Sequence, residues 1–267
     1  MMTFTRSPAV AGAFYPADAA TLSSQIRAFL GEAGEDVTLP PKAIIAPHAG
    51  YIYSGPVAAH AYAHIKPLKG VVERVVLLGP CHRVPVMGLA LSSADSFLTP
   101  LGPVDIDHDL DDALLALPQV QVYDATHAQE HSLEVHIPFL QVQLGDFKLL
   151  PMAVGQATPD EVAEVLERVW GGPETLIVIS SDLSHYLDYD TACAIDQRTS
   201  EAIEHFDYAA ISDGQACGRM PIKGLLALAK RKGMQVRTLD LRNSGDTAGP
   251  RDQVVGYGSW GFWESAP

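Results

Sequence analysis

The 267-residue chain has only three cysteines, Cys81, Cys193 and Cys217. So small and odd a count builds no disulfide framework and suits a reducing, cytoplasmic setting, where a cysteine matters as a thiolate. Basic residues are also scarce: 18 Lys and Arg stand against 32 Asp and Glu, a formal net charge of −14. A field of that sign repels phosphates, which argues against nucleic acid and anionic membrane surfaces as partners. No apolar run reaches the roughly 18 residues needed to span a membrane. The apolar stretch Pro8 to Tyr15 is broken by Gly12 and ended by Pro16, too short for a signal-peptide core with its cleavage site.

What is present is a globular composition, 47% hydrophobic and 19% charged. Short runs rich in Val, Ile and Leu recur, closed by Gly, Pro or Ser-Asp. Ala43 to Ala46, Arg74 to Leu78, Leu149 to Val154 and Leu176 to Ser180 read as buried strands. Between them, Gly55 to Ile65, Asp160 to Trp170, Tyr189 to Phe206 and Ile222 to Lys232 read as helices; Ser54 is the expected cap of the first and Gly233 stops the last. Gln235 to Leu241 and Gln253 to Trp260 read as late strands. With no linker or repeat, residues 1–267 form a single α/β domain whose central, mostly parallel sheet is flanked by helices.

Three of the apolar runs lead straight into a histidine: His48 after AIIAP, His82 after VVLLGPC and His185 after LIVISSDLS. Ligands of open α/β sheets lie outside the carboxyl ends of the strands, so the three can converge on one site. Neutral imidazole binds iron, copper and zinc, and it titrates near neutrality as an acid or base. Cys217, Glu130, Glu134 and Asp182 are all available as a further, anionic ligand. In Glu130 to His136 (EHSLEVH), His131 and His136 lie too far apart for the i, i+4 pairing of a zinc-protease helix, and a helix start capped by Ser132 is the competing reading. Cys193 is expected to pack as a small hydrophobe, and His60 and His64, although four apart, to serve solvent or packing.

RSPAVAGAFYP (Arg6 to Pro16), PHAGYIYSG (Pro47 to Gly55), LGPCHRVP (Leu78 to Pro85), EHSLEVHIPF (Glu130 to Phe139), SSDLSHY (Ser180 to Tyr186), CGRMPI (Cys217 to Ile222) and the late NSGD and VVGYGSW together resemble the Memo family, also called AmmeMemoRadiSam system protein B, a relative of the class III extradiol dioxygenases. The resemblance implies a class III extradiol dioxygenase-like fold and a metal site of His48, His82 and Cys217. His185 matches the catalytic base of the dioxygenase relatives, with Asp182 to orient it and Tyr51 and His131 as substrate-binding residues. It implies iron (Fe2+), with copper or zinc as alternatives, because thiolate replaces the carboxylate of the dioxygenase site and softens it. A radical-SAM system protein is the implied partner, and the substrate is an unidentified small molecule. The expected activity is metal-dependent oxidoreduction. Its rivals are hydrolysis at zinc held by the same ligands and non-catalytic binding of a peptide or partner.

Overall fold

In the computed structural model, which describes residues 4–34 and 39–264, all four apolar runs are strands of one sheet. The first half of the chain contains β1 (Thr5–Arg6), α1 (Ala19–Glu32), β2 (Ala43–Ala46), α2 (Tyr51–His64), β3 (Arg74–Pro80), β4 (Leu89–Leu91), β5 (Ser96–Thr99), β6 (Gly102–Asp105), α3 (Asp111–Leu115), β7 (Val120–Val122) and α4 (Asp124–Ala128). The second half adds α5 (Ile137–Leu144), β8 (Lys148–Val154), α6 (Pro159–Arg168), β9 (Thr175–Ser180), β10 (His185–Leu187), α7 (Tyr189–Glu204), α8 (Arg219–Arg231), β11 (Gln235–Asn243) and β12 (Val254–Trp263).

The large sheet runs β10-β12-β2-β9-β3-β8-β4-β7, with β11 also paired to β12. Its centre, β2, β9, β3 and β8, is parallel, whereas β12 joins β2, β10 and β11 antiparallel and β4 joins β8 antiparallel. The expected mostly parallel sheet is thus parallel at its centre, antiparallel where β12 and β4 join it, and parallel again at the β4–β7 edge. The physical reason lies in the connections: a parallel crossover needs a dozen or more residues and usually a helix, and β11 reaches β12 through a shorter loop. A second sheet, β1-β5-β6, lies apart from the first.

The central strands are apolar along their interiors because both faces are covered. Ala43, Ile45, Val76, Leu78, Ile177 and Ile179 face α6, α7 and α8; Ile44, Ala46, Val75, Leu77, Leu176 and Val178 face α1, α2 and α5. Each fully buried Ile or Leu contributes roughly 1.5–3 kcal/mol. None of the described helices is long and apolar enough to cross a membrane.

Two helix starts differ from expectation. α2 begins at Tyr51 rather than after Ser54, whose hydroxyl donates to the Ala49 carbonyl instead of capping a later helix. α8 begins at Arg219, with Gly218 as its N-cap. A Cβ on Gly218 would collide with the Ser180 carbonyl and the Ser181 side chain, so only glycine lets the start of α8 press against the end of β9. That contact positions the next residue back, Cys217.

Candidate metal centre

Because β2, β3 and β9 are parallel neighbours, their carboxyl ends open on one edge of the sheet. His48 follows β2, His82 follows β3, and the segment Ser181 to Ser184 leads from β9 to His185. Cys217 arrives from the opposite side at the start of α8. Its Sγ accepts the Asp182 N–H at 3.3 Å and lies 3.3 Å from His48 Nε2.

His131 completes the cluster. One ligand atom from each of His48, His82 and His131 lies within 4.8 Å of the others. The His82 and His131 rings stack with centroids 4.7 Å apart, and His48 stands edge-on to both, at 5.2 and 5.5 Å. Phe14, from the N-terminal segment, covers His131 at 4.8 Å. The residue expected only to contact substrate therefore sits among the ligand candidates.

The surroundings disfavour a charge on His48 and on His131. Burial, reinforced by the neighbouring imidazoles, holds His48 well below its ordinary range. Burial likewise brings His131 down to about 4. Nδ1 of His131 is buried without a hydrogen-bond partner. Unprotonated nitrogens crowded beside a thiol are a poor site for protons and a good one for a soft or borderline cation. The donor set fits such a metal. Burial, then the Asp182 carboxylate, pushes the Cys217 thiol up to about 12, so binding as thiolate must release a proton.

Glu130 secures His82. One of its oxygens accepts the His82 backbone N–H at 2.5 Å; the other accepts His82 Nδ1–H at 2.9 Å and the N–H groups of His131 and Ser132 at 3.0 Å each. Burial pushes the Glu130 carboxyl up, but the His82 and Ser132 hydrogen bonds outweigh it and hold the group at about 2. An ionised carboxylate only accepts, so His82 donates through Nδ1–H and turns Nε2 to the site.

Asp182 and His185 are arranged differently from expectation. Asp182 Oδ1 accepts the His48 backbone N–H at 2.7 Å, and burial pushes its carboxyl up to about 6. His185 is oriented instead by the Leu183 carbonyl, which accepts Nδ1–H at 2.8 Å. Beside it, Tyr186 takes a left-handed backbone (φ 58°) at a bulge between β10 and β12 and is exposed. A bulky residue pays for that conformation, which is characteristic of sites where a strand re-aims a side chain.

Other expectations are corrected. Tyr51 is buried between Tyr15 and Phe139 with its hydroxyl donating to the Val135 carbonyl, so it packs beneath the site and does not line the cavity. Ser132 does not cap a helix but donates to the Pro80 carbonyl. Cys193 is exposed rather than packed, because it falls on the solvent side of α7. His60 approaches Asp240 at 3.5 Å, and His64 bonds the His60 carbonyl. In EHSLEVH both carboxylates and His136 are engaged: Glu134 accepts from Arg6, Ala9, Val10 and Tyr15, pinning the N-terminal segment whose Phe14 covers His131, and His136 reaches Ser180. The density of such groups in seven residues points to a supporting or substrate role for the segment, and in the fold that support comes from Glu130, which holds His82, and from His136, which reaches Ser180.

A cavity of about 570 Å³ opens beside Cys217, lined also by Cys81, Met87, Arg219, Met220 and Pro221. A larger groove of about 810 Å³, along α7 and residues 207–215, contains none of the clustered residues.

The family model described as "Memo-like protein" matches residues 6–260. A "MEMO1 family protein" of Sulfolobus acidocaldarius is 37% identical, the alignment covering 94% of this chain and 97% of that one. A protein of the same description from Aquifex aeolicus is 38% identical over the same shares, and one from Methanothermobacter thermautotrophicus is 37% identical over 94% and 98%. The crystal structure of the uncharacterized protein JW3007 from Escherichia coli K12 shares the fold, with a TM-score of 0.51 at 10% identity, covering 80% of this chain and 98% of that one.

Proposed function

The chain belongs to the Memo family, and on that premise we propose that it is a cytoplasmic, metal-dependent oxidoreductase of extradiol-dioxygenase-like type, its iron held by His48, His82 and Cys217. The observation that carries this reading is the convergence of imidazoles and one thiol at the carboxyl edge of the sheet, beside a cavity large enough for a small molecule. His48 Nε2 and Cys217 Sγ, 3.3 Å apart, have the spacing of two ligands on one ion, given metal–nitrogen and metal–sulfur bonds of about 2.0–2.3 Å. When bound, ferrous iron supplies a redox-active Lewis acid with positions open to substrate and dioxygen.

The chain's own groups do the rest. Glu130 holds the His82 ring, and Asp182 holds the backbone of His48. His131 closes the side under Phe14 and faces the substrate. His185, its Nδ1 proton committed to Leu183, exchanges a proton with the substrate through Nε2. The apolar wall of Met87, Met220 and Pro221 receives the body of a small molecule. Cysteines that are all unpaired fit a reducing cytoplasm.

Metal content decides the ligand set, measured on protein purified anaerobically without added metal. Wild type is expected to carry iron, His48→Ala, His82→Ala and Cys217→Ala to lose it, and His131→Ala to keep it. Iron retained by Cys217→Ala and lost from His131→Ala would replace the sulfur with the third imidazole. Stoichiometric zinc with turnover in the absence of dioxygen would make the protein a hydrolase.

A further inference from the structure

Ser180 Oγ is the meeting point of three buried groups: the Ser132 carbonyl at 2.6 Å, His48 Nδ1 at 2.6 Å and His136 Nε2 at 2.8 Å. Beyond His136, its Nδ1 lies 2.6 Å from the Tyr62 hydroxyl. Ser132, Ser180 and Tyr62 are fully buried, and His48 and His136 are 1% exposed, so these groups must satisfy one another.

Counting protons leaves one arrangement of neutral groups. A carbonyl only accepts, so the single hydroxyl proton of Ser180 goes to Ser132. Both imidazoles must then donate to Ser180, His136 through Nε2–H and His48 through Nδ1–H. With its proton on Nε2, His136 accepts at Nδ1, and Tyr62 donates there. Moving the His136 proton to Nδ1 would strand the buried Tyr62 proton and set two lone pairs face to face at Ser180, a costly arrangement in the interior.

We infer that Ser180, backed by His136 and Tyr62, is a positioning residue that fixes His48 as its Nδ1–H tautomer and so aims the Nε2 lone pair at the site. The proton arrangement stands independently of the proposed function; its consequence for metal affinity rests on that reading. The chain is a brace rather than a proton path, because it ends on Tyr62, buried and stacked on Phe139 at 4.8 Å. On the other side of His48, the bare Nε2 accepts from the Cys217 thiol at 3.3 Å.

Nitrogen-15 NMR of the metal-free protein labelled in histidine reads each ring nitrogen directly, with His48 assigned by its loss in His48→Gln. The expected result is a protonated Nδ1 and bare Nε2 at His48. Ser180→Ala should give a mixture of the two tautomers and weaken Zn2+ binding about 10- to 100-fold, the usual effect of losing such a brace. Ser180→Cys, close in size but a weak acceptor, carries the same expectation should the alanine variant fail to fold. Tyr62→Phe should keep the His48 tautomer and weaken Zn2+ by less than about tenfold. A wild-type His48 protonated on Nε2, or a Ser180→Ala protein with unchanged tautomer and Zn2+ affinity, overturns the inference. A wild-type protein that binds neither Zn2+ nor Fe2+ sinks the metal reading alone, and the nitrogen spectrum then decides this inference by itself.

Discussion

His48 and His82 present the same nitrogen to the site and are braced in opposite ways. His82, with 28% of its side chain exposed, rests on an ionised carboxylate that gathers four N–H donors. His48, wholly buried, rests on a neutral hydroxyl in a chain of neutral groups. The difference teaches where charge is tolerable. Glu130 is itself buried, and the four N–H donors gathered on it offset its desolvation, whereas an unpaired charge behind His48 would cost several kcal/mol. A carboxylate brace also makes its imidazole the more basic ligand, so the two arms are unequal in strength.

The comparison breaks most visibly in stability. Glu130→Ala leaves four donors without their acceptor and should lower unfolding free energy by about 3–5 kcal/mol, read by urea denaturation. Ser180→Ala removes one neutral junction and should cost about 1–3 kcal/mol. Equal losses would mean that the charged brace is worth no more than the neutral one.

A second contrast follows the same division between interior and rim. Burial first, then a nearby carboxylate, pushes Cys217 and Cys81 each up to about 12, whereas Cys193 lies exposed on α7. Thiolate is the reactive form, so iodoacetamide near neutral pH should label Cys193 at least about tenfold faster than either of the others. Peptide mass spectrometry of a time course checks the order; early labelling of Cys217 would show that its sulfur is not shielded as the structure has it.

Much of the frame was legible because local pattern carries it. AIIA and LIVIS are apolar on both faces, a signature of strands covered twice, and the histidines that follow them inherit their place from the sheet. The helices α1 and α5 and the strands β4 to β7 carry no clear pattern, since their runs are short or mixed. The braces were illegible for a different reason: no sequence period brings Tyr62, His136 and Ser180 together, and only the packing of α2 and α5 against the end of β9 does so. His131 was read as a pocket residue, but the turn that Glu130 organises by accepting from His82, His131 and Ser132 swings it into the cluster. Cys217 was reached through resemblance; Gly218, which seats it, shows its purpose only when the clash of a Cβ is seen.

The smallest expected effect is a change of slope with pH. In the folded protein Glu130 is held at about 2 against an ordinary value of 4.5, so the folded state binds its proton more weakly than the unfolded state. The stability it contributes is full above pH 4.5 and is lost as pH falls from 4.5 towards 2. Asp182 and Asp196 act in the opposite sense. Burial raises each from 3.8 to about 6, so their contribution is present below 3.8 and lost as pH rises through 6. Wild type alone therefore mixes the two trends, and the difference between wild type and Glu130→Gln isolates the first. That difference, from urea unfolding at a series of pH values, should be constant above pH 4.5 and shrink steadily below it. Asp196→Asn should alter the curve between 3.8 and 6 and leave it unchanged below 3.8, where most of the Glu130 window lies. A wild-type minus Glu130→Gln difference that stays flat through the acid range would show that the carboxylate behind His82 is not held ionised, and with it would go the asymmetry between the two arms.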